Sequence, residues 1–335
     1  MYSMSTFPKT RLSRLRQSMN MRSLVQETRL NIEQLILPLF IKHGCDLKHP
    51  IASMPGHFQW SVDRIHEIIE EIWSLGIRRV ILFGVPEVKD PLGSDSYADD
   101  GIIQLAIARI KDLVPDMLVI SDVCLCEYTD HGHCGAINDV STVREVILDN
   151  QHTLELLAAQ VVSHARAGVD VVAPSGNIDG MVGAIRKALD AAGYEHLPIL
   201  SYAVKYASSF YGPFRQAAEG APRFGDRRTY QMDYANAREA LHECALDVSE
   251  GADFLMVKPA HTYLDIIYRV KEAFPYMPLG AYHPSGEYAM LKAAAEKGWV
   301  NEQQAVMEVL TGILRAGADF IITYYAQDVV KWLRS

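Results

Sequence analysis

The 335-residue sequence lacks several features that would place it in a common class of protein. No apolar run approaches the roughly 20 residues that a membrane-spanning helix requires. Five cysteines are too few for a disulfide framework in so long a chain. The formal net charge of −9 argues against a nucleic-acid-binding surface, and no Gly/Ser-rich linker divides the chain. We therefore expect one cytoplasmic catalytic domain that binds neither a membrane nor nucleic acid.

Acidic residues are absent from the first 26 positions, which instead contain the basic residues Lys9, Arg11, Arg14, Arg16 and Arg22. An organellar transit peptide shares this composition. However, the segment continues into LVQETRLNIEQLILPLF without a small-residue cleavage site. We favour the interpretation that residues 1–32 form an extended arm that docks on a neighbouring subunit, and that residues 33–335 form the catalytic domain.

Nearly continuous apolar runs, each followed by a loop and a longer amphipathic stretch, recur from residue 35 onward. Such runs are typical of parallel strands covered on both faces, and they lie at 35–41, 79–85, 117–125, 169–175, 198–206, 252–258, 278–285 and 318–325. Gly168, Gly251 and Gly317 stand where a helix would end in the left-handed conformation.

The alternation of these runs with helical patterns predicts the α/β class, as a single (β/α)8 TIM barrel that ends in a short helical tail, AQDVVKWLRS. A doubly wound open sheet is the alternative. It is less favoured because no Gly-rich phosphate-binding fingerprint follows the first run. In such barrels the catalytic residues lie at the carboxyl ends of the strands.

Three of the cysteines lie within the segment DVCLCEYTDHGHCG, at the end of the third run. Asp122, Cys124 and Cys126 are spaced two apart, so on an extended strand they would point to one face. A disulfide between neighbouring cysteines on one strand face requires a strained backbone. Three thiolates that include Cys134 suit a soft divalent ion without such strain.

Three protein ligands and one open position are typical of a catalytic zinc site. His131 or His133 could add a fourth ligand and make the site structural, and three unliganded cysteines remain the simplest alternative. Cys45 and Cys244 have no such neighbours, and we expect both to be ordinary buried thiols.

Two lysines end consecutive apolar runs, Lys205 in SYAVKY and Lys258 in LMVKPA. Burial favours a neutral amine, and such an amine is a candidate Schiff-base nucleophile. Adjacent strands lie about 4.8 Å apart, so each ammonium group should lower the proton affinity of the other. The alternative is that a lysine pairs with a carboxylate of the core.

A long Gly- and Pro-containing loop, residues 206–233, follows Lys205 and is typical of an active-site lid. Its arginines suit a substrate that carries a carboxylate, and they are Arg215, Arg223, Arg227 and Arg228. A solvated loop with surface charges is the alternative. Ser285 and Tyr324 end the seventh and eighth runs, where each hydroxyl could bind substrate or a nearby backbone group.

Together these segments resemble the porphobilinogen synthase (5-aminolevulinate dehydratase) family, in its zinc-binding form. The motifs that carry the resemblance run in family order from about Arg11 to the C-terminus, and they are DVCLCEYTDHGHCG, KYASSFYGPFR, GDRRTYQM, MVKPAHTYLDI, SGEYAM and AGADFIITYY. The resemblance implies a hydro-lyase that condenses two molecules of 5-aminolevulinate to porphobilinogen, with loss of two waters, in tetrapyrrole and heme synthesis.

The resemblance also implies roles for individual residues. Lys258 and Lys205 would form Schiff bases with the substrates that supply the propionate and acetate sides, and Asp122 would assist proton transfer. The acetate-side carboxylate would be held by Arg215, Arg227 and Gln231, and the other by Ser285 and Tyr324. Zinc would bind Cys124, Cys126 and Cys134. Glu243 would bind an allosteric magnesium, and the arms would build a homo-octamer.

Four residues near the expected site depart from the family pattern, and they are Gly176, Asn177, His261 and Pro284. They bear on rate and lid geometry rather than on reaction type. Two other hypotheses stay open from the residues: a different Schiff-base aldolase, which would need one lysine and no zinc, and a non-catalytic relative that uses the barrel as a scaffold.

Overall fold

A computed structural model of the chain describes residues 10–142 and 145–334. Residues 1–9 of the expected arm, which include Lys9, and Ser335 of the expected barrel domain lie outside the described residues. The strands are β1 (Leu35–Lys42), β2 (Lys48–Pro50), β3 (Phe58–Trp60), β4 (Arg79–Val85), β5 (Leu118–Val123), β6 (Val171–Pro174), β7 (Leu200–Lys205), β8 (Phe254–Lys258), β9 (Leu279–His283) and β10 (Phe320–Thr323).

At least one α-helix follows each barrel strand after β1, and two lie between β7 and β8 and between β9 and β10. They are α1 (Met19–Leu24), α2 (Ile65–Ser74), α3 (Ile102–Leu113), α4 (Asn150–Arg166), α5 (Met181–Ala191), α6 (Gly212–Ala217), α7 (Arg238–Glu250), α8 (Leu264–Ala273), α9 (Ser285–Glu296), α10 (Glu302–Arg315) and α11 (Ala326–Arg334). Short 3-10 helices cover Leu12–Arg16, Ile32–Gln34, Ser94–Tyr97, Ser209–Tyr211 and His261–Tyr263.

Eight parallel strands follow one another around a ring in the order β1, β4, β5, β6, β7, β8, β9 and β10, and β10 pairs with β1. Between β6 and β7 the backbone N–H of Val172 donates to the carbonyl of Pro198 at 3.1 Å, and Val172 bridges to Ile199. The predicted (β/α)8 barrel is therefore confirmed, and the open doubly wound sheet is wrong.

Each of the eight apolar runs contains one barrel strand, and β1, β7 and β9 are buried along nearly their whole length. Gly168, Gly251 and Gly317 have φ values of +93°, +105° and +120°, which non-glycine residues rarely adopt. They end α4, α7 and α10 as the sequence predicts. The helical tail is α11.

The hairpin of β2 and β3 was not predicted, because its strands are only three residues long and β2 is exposed. β3 pairs in parallel with the end of β1. The hairpin thus extends the sheet beside the carboxyl end of β1, at the edge of the barrel where catalytic residues are expected.

The N-terminal segment from residue 10 to residue 29 contains no buried side chain, and Leu30 is the first buried residue among those described. Apolar side chains in this segment are exposed, including Leu12 at 70% and Met19 at 75%. The limits that we expect, an arm at 1–32 and a barrel domain at 33–335, stay a prediction.

The barrel core predicts how two substitutions on α3 should differ. Ile107 is fully buried, whereas Leu105 on the same helix is 41% exposed. Ile107→Ala should lower the free energy of unfolding by about 2–5 kcal/mol, since it leaves a cavity. Leu105→Ala should change it by about 0.5 kcal/mol or less. Urea denaturation followed by circular dichroism measures both, and equal losses would contradict this view of the core.

Candidate active site

The two lysines of the sequence prediction lie side by side at the carboxyl ends of neighbouring strands. Lys205 is the last residue of β7 and Lys258 the last of β8, and the two are paired in the strand register. Each is 5% exposed. They line one small inner cavity with Asp122 of β5. The predicted meeting of two amines and a carboxylate at one end of the barrel is therefore confirmed.

Aromatic rings surround the amine of Lys258. Its Nζ lies 4.0 Å from the ring centre of Tyr282, 5.1 Å from that of Phe214 and 5.2 Å from that of Tyr202. Burial, and secondly the charge of Lys205, lower the pKa of Lys258 from 10.5 to about 7. A large share of this lysine is therefore a neutral amine near pH 7, as a nucleophile must be.

The amine of Lys205 donates a hydrogen bond to the backbone carbonyl of Ser175, not to a core carboxylate. The hydroxyl of Ser175 in turn donates to Asp122 Oδ2 at 3.0 Å. Burial and the neighbouring Glu127 raise the pKa of Asp122 well above its usual value. Asp122 is thus suited to hold a proton close to both amines.

The three cysteines meet, but not in the way that the strand pattern predicts. β5 ends at Val123, and the chain then turns, with the N–H of Tyr128 donating to the carbonyl of Leu125 at 2.9 Å. The expectation that Cys126 continues the strand is wrong. The turn instead brings the sulfurs of Cys124 and Cys126 to 3.4 Å, too far for a disulfide.

Cys124, Cys126 and Cys134 are buried, and their sulfurs all lie within 4.8 Å of one another. Hydrogen bonds from the other two thiols hold the pKa of Cys134 well below its usual value, which favours a thiolate there. Such a set of soft donors fits a tetrahedral Zn²⁺ with one position left open. No other group of metal-ligating side chains of this kind occurs in residues 10–142 and 145–334.

The two histidines considered as fourth ligands have other partners. His133 Nδ1 lies 3.1 Å from the Tyr230 hydroxyl, and Nε2 lies 2.9 Å from the Phe224 carbonyl. His131 Nδ1 accepts from the N–H of His133 at 3.1 Å. This arrangement favours a three-cysteine site over a four-ligand structural site.

Glu127 is a site residue that sequence reasoning missed. Its Oε2 accepts from Cys126 Sγ at 3.2 Å, and its side chain lines the inner cavity. Burial, and secondly Cys126, raise its pKa to about 8. On a continued strand Glu127 would point away from Cys126, so only the turn after Val123 reveals it.

The lid contributes two arginines to the site. Arg215 on α6 and Arg227 both line the inner cavity and an outer cavity of about 680 Å³, which Gln231 also lines. Arg227 Nη2 donates to the carbonyls of Gly132 at 2.9 Å and Gly220 at 2.7 Å.

The Nε atoms of both arginines and both amide atoms of Gln231 are buried, and they have no partner among the described residues. The nitrogen atoms of this set, the two arginine Nε atoms and Gln231 Nε2, are hydrogen-bond donors that suit a carboxylate. Arg223 and Arg228 are exposed, so the alternative of a surface charge holds for these two.

The expected propionate-side residues are buried beside Lys258. Tyr324 and Tyr282 share a hydrogen bond of 3.1 Å between their hydroxyls. Ser285, the first residue of α9, accepts from the N–H of Phe214 at 2.8 Å through its hydroxyl. Ser285 therefore anchors α6, and its own O–H proton is still available to a ligand.

The remaining expected positions lie outside the inner cavity. Glu243 is half-buried on α7, where burial and the acidic neighbours Asp179 and Glu239 raise its pKa. The N–H of His261 donates to both carboxylate oxygens of Glu287, at 3.0 and 3.1 Å. Pro284 directly precedes α9. A side chain at Gly176 would lie 2.9 Å from Ile178.

The expectation for one of the isolated cysteines is wrong. Cys244 is buried, as expected, but Cys45 is exposed and its Sγ lies 3.7 Å from Asp63 Oδ2. It follows the end of β1, in the loop that leads to the β2–β3 hairpin, where no core is available to cover it.

A family model described as delta-aminolevulinic acid dehydratase matches residues 9–332. The chain belongs to the delta-aminolevulinic acid dehydratase family. The resemblance inferred from the motifs is confirmed.

Named members of the delta-aminolevulinic acid dehydratase family resemble the chain over nearly its whole length. The enzyme of Bacillus subtilis is 53% identical over 320 residues, which cover 96% of this chain and 97% of the relative. That of Archaeoglobus fulgidus is 52% identical over 331 residues, covering 99% and 100%. The delta-aminolevulinic acid dehydratase (porphobilinogen synthase) of Toxoplasma gondii, solved with its reaction product porphobilinogen, superimposes with a TM-score of 0.92 at 44% identity, covering 96% of this chain and 91% of that chain.

No helix in the described part of this delta-aminolevulinic acid dehydratase family member is both long and apolar enough to cross a membrane.

The burial of the cysteines predicts their reactivity in the folded protein. Iodoacetamide should alkylate Cys45 and leave Cys124, Cys126 and Cys134 unmodified, because a thiol must reach solvent to react. Peptide mass spectrometry measures the extent at each site. Denatured protein, in which all five should react, is the control. Alkylation of Cys124 in native protein at the rate of Cys45 would contradict the structure.

Proposed function

We propose that this chain condenses two molecules of 5-aminolevulinate into porphobilinogen with release of two waters, a hydro-lyase reaction of tetrapyrrole and heme synthesis. The observation that carries the proposal is the presence of two adjacent buried lysines in one cavity of a delta-aminolevulinic acid dehydratase family member. A non-catalytic scaffold would have no need of Lys205 and Lys258 in this state, and an aldolase would need only one of them.

The lysines act as nucleophiles toward the ketone carbons of the two substrates. The neutral amine of Lys258 adds to the propionate-side substrate, and water leaves to form an imine, which makes the adjacent carbon more acidic. Lys205 does the same with the acetate-side substrate. A carbon–carbon bond and a carbon–nitrogen bond then join the substrates, and both lysine amines are released.

Proton transfer falls to a carboxyl held within the same cavity. The raised pKa of Asp122 keeps a proton available for the oxygen that leaves as water. Its position on β5 places it beside the lysines, and the Ser175 hydroxyl fixes its orientation. After delivering this proton, the carboxylate can accept one from the carbon next to the imine.

Two different groups of residues hold the two substrate carboxylates. Arg215, Arg227 and Gln231 bind the acetate-side carboxylate, and their buried atoms without a partner support this role. Ser285 and Tyr324 bind the other, through hydroxyls that lie beside the aromatic wall of Lys258. The lid around α6 excludes water from the imines, which would otherwise hydrolyse.

Zinc is the metal that we propose for Cys124, Cys126 and Cys134. When bound, it supplies a Lewis acid that lowers the pKa of a coordinated water to about 7. The three thiols would hold the ion beside the cavity that Cys126 lines. The positive charge of Arg227 would balance the negative charge of these sulfurs.

We further propose an allosteric magnesium site, a homo-octamer and a cytoplasmic location. An allosteric magnesium at Glu243 is supported by the acidic neighbours on α7. A homo-octamer built through the arms is supported by the exposed apolar residues Leu12, Met19 and Leu24. A cytoplasmic location is supported by five cysteines that are all free.

The reaction predicts where substrate becomes attached. With 5-aminolevulinate, the protein should form a pyrrole, and borohydride should trap substrate on Lys258 because its amine is largely neutral. Lys258→Met should fold normally and make no detectable pyrrole. Lys187→Met, at an exposed lysine of α5, is the control and should keep full activity. Label found only on Lys205, or on neither lysine, would refute the assigned roles.

Metal removal provides a separate prediction. A strong chelator should lower turnover by at least about 100-fold, because a catalytic metal supplies several kcal/mol, and added zinc should restore it. Cys126→Ser should bind less zinc than wild type by elemental analysis, whereas Cys45→Ser, at an exposed thiol, should bind the same amount. Full activity in zinc-free protein would overturn the zinc proposal.

A further inference from the structure

The lid is closed over the lysines in this structure. The inner cavity that contains Lys205 and Lys258 has a volume of about 10 Å³, which is room for about one water molecule. Phe214 and Arg215 of α6 form part of its wall. Substrate cannot enter unless α6 moves, so whatever fastens α6 to the barrel controls access to the amines.

A group of four residues fastens the end of α6 to the barrel. The carboxylate of Glu219, two residues after α6, forms an ion pair with Lys42 at the end of β1. Gln59 Nε2 of β3 lies 3.3 Å from the same carboxylate and 2.7 Å from the carbonyl of Ala217. Lys89, in the loop after β4, donates to the carbonyl of Glu219 at 2.7 Å.

The backbone at Glu219 indicates that these contacts hold the chain in an unusual conformation. Glu219 has a φ of +53°, in the left-handed region that side chains other than glycine rarely adopt. Such residues persist where their surroundings over-determine them, commonly at ligand clamps and switch regions. Here both the side chain and the carbonyl of Glu219 are bonded to the barrel.

The group connects directly to the carboxylate-binding arginines. The N–H of Gly220 donates to the carbonyl of Arg215 at 3.1 Å, and the carbonyl of Gly220 accepts from Arg227 Nη2 at 2.7 Å. The residue next to Glu219 thus joins Arg215 and Arg227. Release of Glu219 would therefore loosen both arginines together.

We propose that Lys42, Gln59, Lys89 and Glu219 form a latch that holds the arginine-bearing lid closed, with Glu219 as a positioning residue for Arg215 and Arg227. The proposal rests on the proposed function only where it concerns 5-aminolevulinate. Weakening the latch lowers the fraction of enzyme in which Arg215 and Arg227 are positioned to bind a carboxylate, and the apparent affinity for substrate falls by that fraction. Saturating substrate closes the lid through its own carboxylate, so kcat changes little.

Glu219→Gln keeps the shape of the side chain and removes its charge. We expect KM for 5-aminolevulinate to rise about 3- to 10-fold while kcat stays within about twofold. Lys42→Met should have the same effect. The double variant with both substitutions should have the same KM as either single variant, because each substitution removes the same ion pair between Lys42 and Glu219.

Asp319→Asn is a matched control. Asp319 pairs with Lys271 at 2.8 Å, and the two side chains are 45% and 28% exposed, close to the 43% and 31% of Glu219 and Lys42. Asp319 directly precedes β10, at the end of the barrel away from the lid. Its variant should leave KM unchanged, so a general loss of stability is told apart from the opening of the lid.

Limited proteolysis tests the latch without any assumption about the reaction. Trypsin cleaves after the exposed Arg223 of the lid at a rate that follows the open population. Cleavage should be about 3- to 10-fold faster in Glu219→Gln than in wild type or Asp319→Asn. Equal cleavage in all three would overturn the latch, even if the enzyme makes a pyrrole. Faster cleavage without any pyrrole would keep the latch and reject the proposed function.

Discussion

The rest of the site depends on one constraint, which is that two lysine amines lie next to each other in a closed cavity with room for about one water molecule. Parallel strands of a barrel end at one edge, so residues that end neighbouring strands must meet. Lys205 and Lys258 end β7 and β8 and are paired in register. Lys258 is buried among aromatic rings and lies next to Lys205, and burial together with that positive charge lowers its pKa to about 7.

The groups around the lysines are arranged so that few charges remain unbalanced. Burial raises the pKa of both Asp122 and Glu127, and the next largest cause is Glu127 for Asp122 and Cys126 for Glu127. Arg227 lies close to the thiols of the cysteine cluster, whose negative charge raises its pKa. Burial in this region thus favours a protonated acid at Asp122 and a neutral amine at Lys258, while the neighbouring thiols favour a thiolate at Cys134. The lid maintains this state because α6 seals the cavity with Phe214 and Arg215.

Much of this arrangement could be predicted from the sequence, since the signals were local and periodic. The apolar runs marked the barrel strands, and the position of a lysine at the end of a run was enough to place Lys205 and Lys258 together. The predictions that failed concerned residues in turns, which no periodic sequence pattern reveals. The chain leaves the strand after Val123, so Cys126 and Glu127 lie where no strand pattern puts them.

Contacts between residues far apart in the sequence could not be predicted from the sequence either. Lys42 and Glu219 are 177 residues apart, and neither position carries a motif. The β2–β3 hairpin, which contributes Gln59, has strands too short to give a periodic signal. Cys45 was expected to be buried because it is a cysteine, but it lies in an exposed loop, where its thiol contacts the carboxylate of Asp63 instead of the core.

The protonation state of Lys258 can be measured directly. The rate of cyanoborohydride trapping of 5-aminolevulinate on Lys258 is followed against pH, in wild type and in Lys205→Met. Because the neutral amine predominates above its pKa, the wild-type rate should rise through about pH 7 and then level off. In Lys205→Met the midpoint should move to higher pH, since a neighbouring positive charge is gone. A midpoint near the ordinary value of 10.5 in both proteins would show that burial and Lys205 do not lower the pKa of Lys258.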